Sequence, residues 1–290
     1  VSREGFSYIY SNLYHLNPPT KVEMIGKQEP IEIEELNDNH RHRHILTRKL
    51  NLKGDIISSR SPLFFNEDVI ISKGSAQEQM AYLYRNARYD ECIFIHKGKG
   101  SIISSFGEME VKKYDYVVIP KGVIWKMVLD SDIEFLAIET KNPIETPSKY
   151  RNRLGQLLEH SPYSERDIIT PNLKNKNLNG PINIKVRIDN GLQTYQYKDH
   201  PFDVVGWDGY YFPWIFNLRD FMPITGMIHQ PPPVHQVFQA NGVVVCNFVP
   251  RLFDYHPLAV PAPYAHSNVD SDEILYYVDG NFMSRKGVET

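Results

Sequence analysis

The sequence predicts an all-β protein built as two barrels, the second incomplete at the C-terminus. Three observations predict it. From about Ile57 to Glu139 the chain reads as short apolar strands (DVIISKG, ECIFIHKG, EMEVKKYDYVVIPKG and IEFLAIET) broken by turn residues. Strands of this length at this spacing indicate a sandwich or barrel. A pattern from that region then recurs near the C-terminus. NARYDECIFIHKG is matched by NVDSDEILYYVDG, with Asn86 and Asn268, Asp90 and Asp272, Glu91 and Glu273, and Gly98 and Gly280 at one constant offset. Internal repetition fixes architecture before any residue is given a role. Finally, 290 residues suffice for two modest domains, each with its own core.

Composition narrows the function classes. An apolar content of 41% with 12% aromatics excludes disorder. The formal charge of −3, without a sustained basic tract, argues against nucleic acid or an anionic membrane as partner. Cys92 and Cys246 both lie in apolar runs and read as free buried thiols. No apolar run approaches the roughly 20 residues of a membrane span, and no signal-peptide profile opens the chain. A soluble, cytoplasmic protein is expected.

In chain order, residues 1–142 read as an N-terminal β domain, 143–199 as a proline-rich connector and 200–290 as a C-terminal domain. In NHRHRH, His40, His42 and His44 would share one face of a strand. Arg41 and Arg43 between them add positive charge where a cation would sit, so a solvated edge strand or subunit contact is expected rather than a metal site. The connector carries Pro143, Pro147, Pro162, Pro171 and Pro181, and RNRLGQLLEH within it reads as one short helix. The aromatic-rich stretch His200–Phe221 reads as packing surface. Beyond it, Pro231–Pro233 predict a stiff polyproline-like arch that holds His229 and His235 on either side, both candidates for acid/base work.

The densest chemistry lies in PAPYAHSNVDSDEILYYVDGNF, Pro261 to Phe282. His266, Glu273 and Gly280 resemble the first half of the metal motif of cupin barrels, H-x-H-x(3–4)-E-x(6)-G, with Asn268 in place of the second histidine. One imidazole and one carboxylate on rigid strands suit iron(II), manganese or zinc. In the first copy the equivalent of His266 is Tyr84. Tyr114 to Gly122 is similar to the second cupin motif, with Trp125 where its histidine would stand. The first barrel is therefore expected to hold no metal, and Glu91 to be a hydrogen-bonded structural acid. By the same repeat, a third ligand is expected about 27 residues beyond Gly280, past Thr290, so the chain is expected to be part of a longer one.

HPFDVVGW, FNLRDFMPI, a histidine-bearing loop, FVPR and PAPYAHSN followed by the spaced Glu and Gly together resemble the homogentisate 1,2-dioxygenase family. The likeness is continuous from about His200 to Gly280 and weaker in the N-terminal barrel. It implies a two-barrel cupin, a non-haem iron(II) cofactor held by two histidines and one glutamate, and O2 plus a small aromatic as co-substrates. The implied reaction opens the ring of homogentisate to maleylacetoacetate, in tyrosine and phenylalanine catabolism. It further implies a homo-oligomer without nucleic-acid or membrane partners. Residue by residue, His266 and Glu273 match metal ligands and Tyr264 an active-site tyrosine. His229 best matches the acid/base histidine, with His235 as competitor. Phe282 departs from a family tyrosine that helps hold the substrate carboxylate, and Tyr276 or Tyr277 could stand in for it. Another ring-cleaving dioxygenase, a metal-dependent isomerase and a non-catalytic bicupin are the alternatives.

Overall fold

In the strand Asp90–Lys97, Glu91, Ile93 and Ile95 fall on one face and Cys92 and Phe94 on the other, and both faces are buried. An unbroken apolar run needs cover on each side, and the chain supplies it with two large sheets and an outer layer. The structure, a computed structural model, describes residues 1–174, 178, 180–261, 264–280 and 282. Among these there is no α-helix; the ordered elements are β-strands and short 3-10 turns.

One seven-stranded sheet runs, edge to edge, through Ile168–Ile169, Trp214–Asn217, Asp115–Ile119, Asp90–Lys97, Ile133–Thr140, Val69–Ala76 and Ser61–Phe65. The other runs through Val22–Pro30, Gly191–Tyr197, Ile182–Ile188, Leu83–Asn86, Ile124–Leu129, Lys99–Ser104 and Gly107–Lys112. Ile93, Ile95, Val117, Phe135 and Ala137 from the first meet Tyr84, Ile102, Met109, Trp125 and Met127 from the second in one core. Burying each such large apolar side chain contributes about 1.5–3 kcal/mol. This is a cupin-type barrel, and the strands that the sequence predicted between Ile57 and Glu139 form its walls. Gly98 passes the chain from one sheet to the other at φ +95°, and a Cβ there would meet the Asp132 carbonyl at 2.1 Å. Its repeat partner Gly280 also has positive φ, +113°.

The segment expected as a connector contributes strands to this barrel. Ile182–Ile188 pairs in parallel with Leu83–Asn86, and Gly191–Tyr197 pairs beside it. Alternating burial in INIKVRI places Ile184 and Val186 in a third apolar cluster with Leu83, Tyr197 and Phe202. The helix expected in 151–160 is not formed. The Asn152 side-chain oxygen instead accepts from the Leu154 and Gln156 amides, an Asx-type turn that competes with helix, and Gly155 turns at φ +90°. Residues 40–44 are likewise not a strand. They are exposed, with Arg41 and Arg43 paired to Asp38.

A three-stranded sheet, Ser2–Glu4, Ser7–His15 and Val204–Gly209, closes one end of the barrel. Trp207 there donates to the Phe106 carbonyl at 3.0 Å. His15 Nδ1 meets Asp203 Oδ1 at 2.6 Å across it. Beyond Asn217 the strands among the described residues form a single hairpin, Gln236–Ala240 with Val243–Cys246. It packs on the outer face of the first sheet, where Val237 and Phe238 join Phe94, Tyr116, Val118 and Phe216.

Candidate functional site

The stretch His229–Asp254 builds one constellation. Pro231 is extended, at φ −69° and ψ 166°, and Pro232–His235 then tighten into a 3-10 turn rather than continuing a polyproline arch. The two histidines flanking it have different surroundings. His235 stacks on Phe248 with ring centroids 4.5 Å apart, and its Nδ1 lies 3.1 Å from the Asn247 carbonyl. Burial lowers its pKa, with the Asn247 carbonyl opposing and Arg251 adding to the drop. That is the environment of a packed, neutral ring.

His229 is 40% exposed, and its Nδ1 faces Asp254 Oδ2 at 3.7 Å. Asp254 is 4% exposed, accepts from the Gln230 amide at 2.6 Å and is paired with Arg251 through its other oxygen. Arg251 in turn donates from Nε to the Ile224 carbonyl at 2.8 Å. A fixed carboxylate beside an accessible imidazole is how proteins orient a proton-transferring histidine. Asp254 escaped sequence reasoning. Its only signal was an acid in the apolar run FVPRLFDY, and its proximity to His229 comes from the packing of two loops.

Tyr264, His266 and Glu273 lie in irregular, exposed backbone. His266 Nδ1 lies 3.0 Å from the Tyr264 carbonyl, and the two rings approach to 5.4 Å between centroids. With Nδ1 engaged, Nε2 is left to meet a ligand, the arrangement a metal-binding histidine normally has. Glu273 raises the pKa of the Cys246 thiol, after burial and against Lys149, which places its charge near the hairpin end. The chemistry of this donor pair fits iron. Among the described residues, however, no group of three His, Cys, Asp or Glu side chains is gathered as a metal would need. The segment after Glu273 is anchored on the first barrel. The Tyr276 hydroxyl accepts from Lys73 Nζ at 3.2 Å and lies 3.2 Å from His96 Nδ1. Tyr277 packs edge-on against Phe282 at 4.5 Å, and among the described residues its buried hydroxyl has no hydrogen-bond partner.

In the N-terminal barrel, the positions aligned with the metal motif do converge. Glu91 faces the interior and receives Arg60 Nη1 at 2.6 Å. Tyr84 and Trp125 pack edge to face at 5.5 Å, and the Arg60 guanidinium lies over the Tyr84 ring at 5.9 Å. Glu91 is a buried, ion-paired acid whose pKa is pushed up by burial and held back by Arg60. Arg60 escaped sequence reasoning, being a lone arginine among serines just before the strand Ser61–Phe65.

Residues 58–218 match the model of the homogentisate 1,2-dioxygenase N-terminal domain family. The chain is also 45% identical, over 286 residues, to a presumed dioxygenase of Saccharolobus solfataricus, covering 98% of this chain and 74% of that protein. The chain belongs to the homogentisate 1,2-dioxygenase family.

Among solved structures, this family member shares 20% identity with a cupin-2 domain protein of Shewanella frigidimarina (28% of this chain, 79% of the other, TM-score 0.26). It shares 10% identity with a salicylate 1,2-dioxygenase variant of Pseudoaminobacter salicylatoxidans bound to gentisate (30% of this chain, 26% of the other, TM-score 0.26). No helix among the described residues of this dioxygenase-family chain is long and apolar enough to cross a membrane.

Proposed function

We propose that the chain belongs to an iron(II)-dependent, ring-opening dioxygenase that converts homogentisate and O2 to maleylacetoacetate, both oxygen atoms entering the product. The observation that carries this reading is His266, its Nδ1 tied to the Tyr264 carbonyl and its Nε2 left for a ligand, with Glu273 seven residues on in a chain of this family. His266 and Glu273 are the metal ligands this chain contributes. Bound iron(II) would mediate electron transfer from the ring to O2, which lets ground-state O2 react with a closed-shell aromatic ring.

The rest falls to the chain's own side chains. His229 takes the proton from a ring hydroxyl, which makes the ring electron-rich, and later returns it. Asp254 keeps the His229 ring oriented; His235, packed against Phe248, is a structural neighbour. Tyr264 contacts the substrate beside His266. Tyr277, rather than Tyr276, stands in for the tyrosine that Phe282 replaces, because the Tyr276 hydroxyl is already engaged by Lys73 and His96.

Phe282 favours a second reading, a ring-cleaving dioxygenase for an aromatic acid other than homogentisate. Anaerobic loading with iron(II), followed by O2 uptake with homogentisate and with other dihydroxyphenyl acids, separates the two. Uptake with homogentisate, coupled to appearance of the ring-opened product, supports the first. Uptake only with another acid replaces it with the second, and no uptake with any removes both.

A further inference from the structure

Two carboxylates facing a dry barrel interior need a compensating cation. Glu91 and Glu139 are cross-strand neighbours in the first sheet, 0% and 6% exposed. Each alternates along its strand with residues of the inner core, Ile93 and Ile95 in one case and Phe135 and Ala137 in the other. The cation between them is Arg60, whose Nη1 lies 2.6 Å from Glu91 and 3.8 Å from Glu139. Asn86 donates to the Glu139 carboxylate at 2.9 Å and fixes its position. Tyr84 and Trp125 wall the centre, their rings packed edge to face at 5.5 Å.

The centre is not saturated. Among the described residues, Glu91 Oε2 and Arg60 Nη2 are both buried without a protein hydrogen-bond partner within bonding geometry, and the nearby Asn86 amide is directed to Glu139. A guanidinium satisfies two carboxylates best when it can fork onto both, and here it is close to only one of them. A carboxylate oxygen with free lone pairs, turned into a closed interior beside a second carboxylate, is a donor set for a hard cation.

We propose that Arg60 is a built-in cation standing where this barrel would otherwise take a divalent metal ion, and that it keeps such ions out. Removing the arginine side chain vacates space between Glu91 and Glu139 and leaves two negative charges around it. Hard divalent cations such as Mn2+, completed by water, then bind there. In the natural chain the barrel is closed to metal by its own side chain.

The test uses thermal unfolding and bound-metal analysis with Mn2+ as the probe. All variants are made on a His266→Ala/Glu273→Gln background, so that the C-terminal candidate ligands are silent and the outcome is independent of the proposed function. With Arg60 intact, no Mn2+ is retained and Tm does not respond to it. Arg60→Ala lowers Tm by on the order of 10 °C. Added Mn2+ restores much of that loss, and the metal co-purifies with the chain. Adding Glu91→Gln abolishes the Mn2+ response. Arg60→Ala/Glu91→Gln/Glu139→Gln regains Tm without metal. If Arg60→Ala does not fold, refolding with Mn2+ and folding of the neutral triple variant take its place, and recovery by either supports the proposal. Mn2+ uptake with Arg60 intact would overturn it. So would an Arg60→Ala variant as stable as its parent, or one rescued neither by Mn2+ nor by neutralising the carboxylates.

Discussion

Tyr276 and Lys73 stand 203 residues apart in the chain and share a hydrogen bond of 3.2 Å. Tyr276 also lies over Phe94 and His96 of the barrel wall. Through this side chain, and through Asp279, whose carboxylate accepts from the Tyr114 hydroxyl at 2.6 Å, the segment that follows Glu273 is fastened to the outer face of the N-terminal barrel. Tyr276→Phe keeps the ring packing and removes the hydroxyl, leaving Lys73 and His96 without it. A loss of about 1 kcal/mol is expected. Hydrogen exchange should quicken over residues 264–280 while the barrel strands keep their protection. Unchanged exchange in that segment would show that the contact does not anchor it.

The proton-transfer assignment is tested by comparing the two histidines. His229→Asn should lower kcat by about 10²-fold or more without loss of bound iron. Asp254→Asn should lower it less, because it disturbs only the orientation of the ring. His235→Phe should leave kcat near that of the parent. Iron loss in His229→Asn would make that residue a ligand, and a larger kcat effect at His235 would transfer the role to it.

Metal placement is a separate question. His266→Ala and Glu273→Gln should each reduce the iron retained after gel filtration. An anomalous difference peak at the iron edge should fall beside these residues. A peak beside Glu91 would refute both this placement and the role given to Arg60.

Stability should depend on pH in a definite direction. Burial holds His96, His200 and His235 below the ordinary value of 6.5, aided by Lys73, Lys126 and Arg251 respectively. A histidine whose folded pKa is lowered binds fewer protons in the folded than in the unfolded chain. Its contribution is therefore complete above about pH 6.5 and is lost as pH falls through the folded value. Tm should decline from pH 7 to pH 5, and the decline should be shallower in His235→Phe. An equal decline in that variant would assign the effect to the other two rings.

Residue pattern alone determined the all-β fold and the strands between Ile57 and Glu139. Strand alternation, turn glycines and the spaced repeat are properties of contiguous sequence, and their physical cause is local: period-two burial and the positive φ that Gly98 and Gly280 adopt. Pattern also showed that Tyr84 and Trp125 stand where the metal motif of the first barrel would have its histidines. What it could not show was which distant segments fill the same space. The strand Ile182–Ile188 joined the first barrel because its apolar face had Leu83 to cover, not because of any signal in the proline-rich stretch before it. Asp254 beside His229, Tyr276 between Lys73 and His96, and Arg60 between Glu91 and Glu139 are likewise tertiary decisions. Each depends on a charge or hydroxyl reaching its partner through chain closure. Desolvation then makes the partner necessary, and composition and spacing carry no record of that.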